Sequence, residues 1–259
     1  MLLFGVLALV GSGGIGAYIV MNRDKVDDLL AAPTATTTTP AAVVSASPTP
    51  SASPTPTPIP TYAAIGPGTY VFAGGQTAVM GTAGTLRKYR VATETGTPVP
   101  VADFAATVDA TLGNPSSWIA GKNVRLQRVA GAAGVGFTVY LVTPGTAQKL
   151  CQAAGLDIFW HGEPYTSCRA GDKVVINIAR YLKGIPDYGA PLAVYRQYAI
   201  NHEVGHALGH GHELCPGKGK PAPVMQQQTF GLLGCVANGW PYLNGKRYAG
   251  PPGRVIPPS

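Results

Sequence analysis

The sequence predicts an α+β fold, and three observations carry that expectation. Short apolar segments with strand-like patterning, separated by Gly, Pro and Asn, recur from about Gly66 to Ile178. One stretch, Val101–Leu112, spaces its apolar residues at three and four, as a helix with one buried face requires. A second helical stretch opens at Pro191 and runs into a group of histidines, His202, His206, His210 and His212.

Along the chain, the first sixty residues add nothing to a core. Met1 to Met21 is an apolar run without charge, closed by Asn22-Arg23-Asp24-Lys25. At about 1.5 Å per residue a helix of this length just covers a hydrocarbon layer of roughly 30 Å, so residues 1–21 read as a transmembrane anchor. A cleaved signal segment is the alternative, with Leu2–Val10 as its apolar part and Gly11-Ser12-Gly13 at the cut. Both readings put the remainder outside the cytoplasm, held at the cell surface or secreted. Residues 22–62 read as a linker, because residues 33–62 carry no charge and consist mostly of Pro, Thr, Ser and Ala. Such a segment buries too little apolar surface to offset its ordering entropy, and its prolines keep it extended. The folded domain is expected over residues 63–250, with residues 251–259 as a tail.

Within the domain, Thr69–Ala73 and Leu86–Ala92 read as strands. The helix Val101–Leu112 is stopped by Gly113-Asn114-Pro115. Val124–Val129 and Gly136–Val142 follow as strands, expected to form a hairpin through Gly131–Gly134. Thr146–Ala154 is a short helix carrying Cys151. Val174–Ile178 is a continuous apolar run of strand length, which suits a strand buried on both faces. Pro191 then fits the first turn of the helix that carries Tyr195, Tyr198 and Ala199 into the histidines. Beyond Gly209 periodicity fades, and an irregular segment is expected.

Residues 202–212 read His-Glu-Val-Gly-His-Ala-Leu-Gly-His-Gly-His, which contains H-E-x-x-H-x-x-G-x-x-H. On a helix His202 and His206 leave the same face and can reach one metal ion. His210 and His212 compete for the third position. On an unbroken helix His202 and His210 would lie about 12 Å apart along the axis, a span that metal–nitrogen bonds of about 2 Å cannot bridge. The helix must therefore break at Gly209, where a left-handed backbone is available at little cost. His212 is then the better third ligand, and His210 faces solvent or stands behind the ligands. Glu203, beside the first ligand, can take a proton from water without binding the metal itself. After His206 the only acidic residue is Glu213, so no distant carboxylate can serve as third ligand.

This motif resembles that of the metzincin zinc metalloproteases, whose signature includes a methionine in a tight turn beneath the metal. Met225, in Pro223-Val224-Met225, matches that Met-turn. More narrowly, Asn201–Pro216, Pro223–Gln227 and Gly234-Cys235 resemble a family of uncharacterised exported actinobacterial domains grouped with the metzincin-like peptidases. The resemblance covers most of residues 63–250. It implies a metzincin-like (zincin) domain with a mixed twisted sheet, one helix behind it and the active-site helix across its face. An irregular C-terminal subdomain holding the Met-turn would complete it. It also implies one catalytic Zn2+ on His202, His206 and His212, with Glu203 as general base, in an exported endopeptidase that hydrolyses peptide bonds. The chain departs from the pattern at Gln227, where some metzincins carry a tyrosine that assists the transition state. Tyr242 is the candidate replacement. Two other functions fit the same residues. One is a zinc amidase acting on cell-wall peptides. The other is a zinc-stabilised, non-catalytic envelope-binding domain, for which His210 or Glu213 would have to supply a fourth ligand.

The four cysteines all lie in the domain, and an even number in an exported chain reads as disulfides. Cys151–Cys168 and Cys215–Cys235 are favoured, because each closes a short loop of polar and turn-forming residues. The second would pin the segment from His212 past Met225. Of nineteen Lys and Arg, only Arg23 and Lys25 precede the domain, so the net charge of +7 resides in the domain. This favours acidic substrates or anionic envelope polymers. The basic residues are scattered, which argues against nucleic acid. The expected partners are therefore a peptide or protein substrate and, through residues 1–21, the membrane, with the chain itself a monomer. Arg169 and Arg180 are equally suited to ion pairs and to a substrate carboxylate. His161 reads as a loop residue, and Trp118, Trp160 and Trp240 as packing.

Overall fold

The computed structural model describes residues 58–255, so the apolar segment 1–21 and most of the linker fall outside the described residues. Among the described residues no helix is long and apolar enough to cross a membrane. Strands β1 (Tyr70–Phe72) and β2 (Thr85–Glu94) pair antiparallel. Helix α1 (Val101–Leu112) has the limits its apolar spacing dictates and buries Phe104, Ala105, Val108 and Leu112. Next come β3 (Val124–Arg128), β4 (Val135–Val142) and α2 (Pro144–Gln152). A two-residue pair, β5 (Phe159–Trp160) and β6 (Glu163–Pro164), precedes β7 (Cys168–Ala170) and β8 (Lys173–Asn177). Helices α3 (Ile178–Lys183) and α4 (Leu192–Ala207) follow, and β9 (Tyr242–Leu243) pairs with β10 (Lys246–Arg247) near the end.

The result is an α+β fold around a six-stranded mixed sheet of order β1-β2-β4-β8-β7, with β3 also paired to β2. Strands β3, β2, β4 and β8 run parallel, whereas β1 and β7 are antiparallel to their neighbours. The two strands expected to form a hairpin do not pair with each other. β3 lies along Thr85–Tyr89 and β4 along Lys88–Thr93, both parallel to β2. Lys88 and Tyr89 pair with both strands, so β3 and β4 flank β2 from opposite sides. Because β3 ends at the level where β4 begins, the short connection at residues 129–134 can step across β2, and the register shifts there. A short glycine-rich loop suits a hairpin and this crossing alike, so local sequence could not separate them.

Side-chain alternation divides the core between the two faces. Val139, Leu141, Val174 and Ile176 join one cluster together with Phe104 and Val108 of α1 and Ile200 and Val204 of α4. Val142 and Val175 join the other with Ala147 and Cys151 of α2. β8 is thus buried on both faces, as its unbroken apolar run implied, and each such Val or Ile contributes about 2 kcal/mol through burial. Helix α2 lies behind the sheet, whereas α1 shares the face of α4. Helix α3 was not expected. It is too short to show periodicity and is started by the Asn177 side chain, which accepts from the Ala179 amide at 2.9 Å.

Both expected disulfides are present, Cys151–Cys168 tying α2 to β7 and Cys215–Cys235 closing the C-terminal region. From Gly209 to residue 255 regular structure is confined to one 3-10 turn, Gln228–Phe230, and the β9–β10 pair. Two stretches assigned to linker and tail belong structurally with the domain. Tyr62 packs against the main core, and residues 251–255 lie along His212–Leu214. There the Leu214 amide donates to the Pro251 carbonyl at 2.8 Å and the Gly253 amide to that of His212 at 3.1 Å.

Candidate metal centre

The C-terminal half of α4 is buried from Tyr198 to Gly205, so His202 and Glu203 are presented from a fixed element. Asn201 anchors this stretch. Its side chain accepts from Ser117 Oγ at 2.7 Å and donates to the Gly239 carbonyl at 2.8 Å, while its own carbonyl accepts from Trp118 Nε1 at 2.9 Å. Gly205 is required by close packing. A Cβ there would stand 2.5 Å from Met225 Sδ and 2.6 Å from Trp118 Cζ2.

The helix ends where the spacing argument demanded. Gly209 has φ of 95°, the His210 amide donates to the Gly205 carbonyl at 2.9 Å, and the Gly209 amide donates to that of His206 at 3.1 Å. These two bonds form a Schellman cap with glycine in the left-handed position. The reversal brings His212 back to the helix. His206 Nε2 lies 3.2 Å from His202 Nε2 and 3.1 Å from His212 Nε2. The three ligand atoms lie within 4.8 Å of one another. Tetrahedral coordination with bonds of about 2 Å sets nitrogens roughly 3.3 Å apart, so the three rings fit one ion.

Two carbonyls fix the ring orientations. His202 Nδ1 donates to Val224 O and His206 Nδ1 to His210 O, each at 2.8 Å. A carbonyl only accepts, so both rings carry their hydrogen on Nδ1 and turn the Nε2 lone pair towards the centre. Burial holds the His202 and His206 rings below the ordinary imidazole pKa. Burial lowers His212 to about 4, with His206 and Arg254 adding to the effect. All three therefore favour the neutral form that binds metal.

Glu203 is buried and its Oε2 has no hydrogen-bond partner. Burial raises its carboxyl to about 8, and a cation held by the neighbouring imidazoles would draw it back down. It lines a cleft of about 770 Å³ that the three histidines also line. Leu156, Phe159 and Phe230 supply apolar walls, and Arg169 and Arg254 supply charge.

The other singled-out residues separate clearly. His210 is not a ligand. Its ring stacks on Trp118 at 4.3 Å and its carbonyl orients His206. Met225 is fully buried against Gly205, within the turn in which the Gln226 amide donates to Pro223 O at 2.9 Å. Glu213 accepts from Arg247 Nη2 at 2.6 Å and from the Gly250 amide at 3.2 Å. Gln227 lines the cleft, whereas Tyr242 packs beside Gly121 and is not among the cleft residues. His161 is exposed and rests on Trp160. Arg180 is engaged by Glu163 and by the Tyr165 ring, but Arg169 is exposed in the cleft. Trp118 is core, as expected, and Trp240 is partly buried at the end of the Asn238 turn. Sequence reasoning missed Asn201, the Val224 carbonyl and Arg254. Asn201 acts through partners 38 to 84 residues away and Val224 through a backbone carbonyl, neither of which a motif encodes, and Arg254 sits in the stretch assigned to the tail.

Fold and site together define an α+β domain with a three-histidine centre able to hold a metal ion, opening on a cleft. Residues 57–242 match the family of proteins of unknown function DUF3152, and the chain belongs to that family. No curated protein and no solved structure matches it.

Proposed function

We propose that this chain is an exported, metzincin-type zinc endopeptidase, with zinc on His202, His206 and His212 and Glu203 as general base. The observation that carries the reading is the unpartnered, buried Oε2 of Glu203, a residue that lines the cleft together with the three histidines whose Nε2 atoms converge. When bound, zinc supplies a Lewis acid and lowers the pKa of water. Glu203 takes the proton of the water attacking the scissile carbonyl and returns it to the departing amine nitrogen. Its environment suits both roles, because burial opposes full ionisation while a cation opposes permanent protonation. Met225 supports the ligand helix by filling the space at Gly205, as a Met-turn would.

A closed, structural zinc site would need a fourth protein ligand. Both candidates are engaged elsewhere, His210 on Trp118 and Glu213 with Arg247. This supports a coordination position left to solvent and substrate. The two disulfides suit an oxidising compartment outside the cytoplasm.

The test is metal analysis of the full chain alongside cleavage of a denatured protein library, with and without chelator. One zinc per chain and chelator-sensitive peptide-bond cleavage are expected. Glu203→Gln should keep its zinc and lose cleavage by about 10²–10⁴-fold. A Glu203→Gln protein that holds zinc and cleaves as fast as wild type overturns the assignment.

A further inference from the structure

We infer that Arg169 and Arg254 form an anion-recognising pair in the cleft, selecting peptides with a carboxylate within a residue or two of the reacting bond. The inference deepens the endopeptidase reading and rests on it for the position of that bond. Two separate parts of the chain supply the pair. Arg169 is the outward residue of β7, with Cys168 and Ala170 turned into the core and Cys168 locked to Cys151. Arg254 follows the backbone bond from the Gly253 amide to His212 O, so the segment bearing it is pinned to the third ligand. Both side chains are exposed and line the same cleft.

Neither guanidinium makes an ion pair among the described residues. Elsewhere Arg128, Arg180 and Arg247 have Asp109, Glu163 and Glu213. The cleft also holds two acidic residues, Asp157 and Glu203. Asp157 Oδ1 accepts from the Phe159 amide at 2.9 Å, within its own loop, and Glu203 is enclosed at the centre. Both arginines line the cleft that His202, His206 and His212 also line. A divalent cation held by the three histidines would raise the positive potential of the cleft further. An anionic group on the incoming chain is the complement of two guanidiniums without an ion pair. The planar fork of arginine matches a carboxylate with two parallel bonds, and Leu156, Phe159 and Phe230 cover the apolar atoms around it.

The carboxylate can come from an acidic side chain or from a free C-terminus. Binding separates these sources without depending on cleavage. The probes are fluorescent decapeptide pools of random sequence with one central Glu, the same pools with Gln, and the Gln pools ending in a free acid or an amide. Binding to the full-length, zinc-loaded Glu203→Gln protein would be read by anisotropy at low salt. The Glu pool, or the free-acid pool, should bind about tenfold tighter than its uncharged counterpart. Arg169→Gln and Arg254→Gln should each remove most of that preference while leaving neutral-pool affinity and melting temperature near the parent's. Lysine at either position should restore part of it. Equal binding of charged and uncharged pools, or a preference that survives both glutamine variants, overturns the proposal. Failure of the endopeptidase reading would look different, as absent chelator-sensitive cleavage by the wild type with the binding preference intact.

Discussion

Met225 Sδ occupies the space beside Gly205, 2.5 Å from where a Cβ on that glycine would stand. The contact joins the last turn of the histidine-bearing helix to the turn whose Val224 carbonyl orients His202, so packing and site geometry are linked through one absent methyl group.

Gly205→Ala tests that link. The Met225 side chain could shift, but Trp118 Cζ2 lies 2.6 Å from the same point and its ring is buried and stacked on His210. We expect a loss of about 1–3 kcal/mol in chemical denaturation, typical of overpacking. Metal affinity should fall with it. A variant as stable as wild type would mean that the helix and turn are not held in this contact.

His212→Ala and His210→Ala separate ligand from support. Removing His212 takes away one of three converging nitrogens, and zinc affinity should fall by at least about 100-fold in competition with a chromogenic chelator. Removing the His210 ring leaves the carbonyl that accepts from His206 and deletes only the stack on Trp118. That should cost about 0.5–1.5 kcal/mol of stability with little change in zinc affinity. The reverse pattern would exchange the two assignments.

The disulfides should divide in the same way. Cys215–Cys235 joins residues 20 apart, and its segment contains Val224 and Met225. Replacing the pair with serine should cost about 3 kcal/mol and also weaken zinc binding. Replacing Cys151 and Cys168, 17 apart, should cost a similar amount but leave zinc affinity nearly unchanged, since none of the three ligands lies in that loop. Equal effects on zinc from both replacements would contradict a local role for the second bridge.

The metal-free protein should respond to pH in opposite directions at two groups. His212 is lowered from 6.5 to about 4 in the fold, so the unfolded chain binds more protons in that interval and stability falls as pH drops below 6.5. Glu203 is raised from 4.5 to about 8, so the fold binds more protons there and stability rises as pH drops below 8. Glu203→Gln removes the second effect. In chelator, this variant's melting temperature should fall between pH 6.5 and 5 more steeply than that of wild type. Parallel curves for the two proteins would show that Glu203 is not buried as described.

Much of the fold was legible because its signals are local. The limits of α1 followed from apolar spacing ended by Gly113, and β8 announced itself as an unbroken apolar run. The break at Gly209 followed from helix rise and bond length alone. The connection between β3 and β4 was not legible, since a strand's partner depends on register along β2 rather than on the loop that follows it. Helix α3 was too short to leave a period.

By itself, then, the sequence determined which three histidines converge, the carboxylate beside the first of them and the point at which the helix stops. These depend on separations of at most ten residues, where covalent geometry leaves few choices. Only the tertiary structure decided what surrounds them. The Val224 carbonyl lies 22 residues from the ring it orients. Ser117 lies 84 from the Asn201 it holds. Arg169 and Arg254 reach one cleft from β7 and from the last residues described. Such contacts form only when packing brings distant segments together, and no local pattern records them.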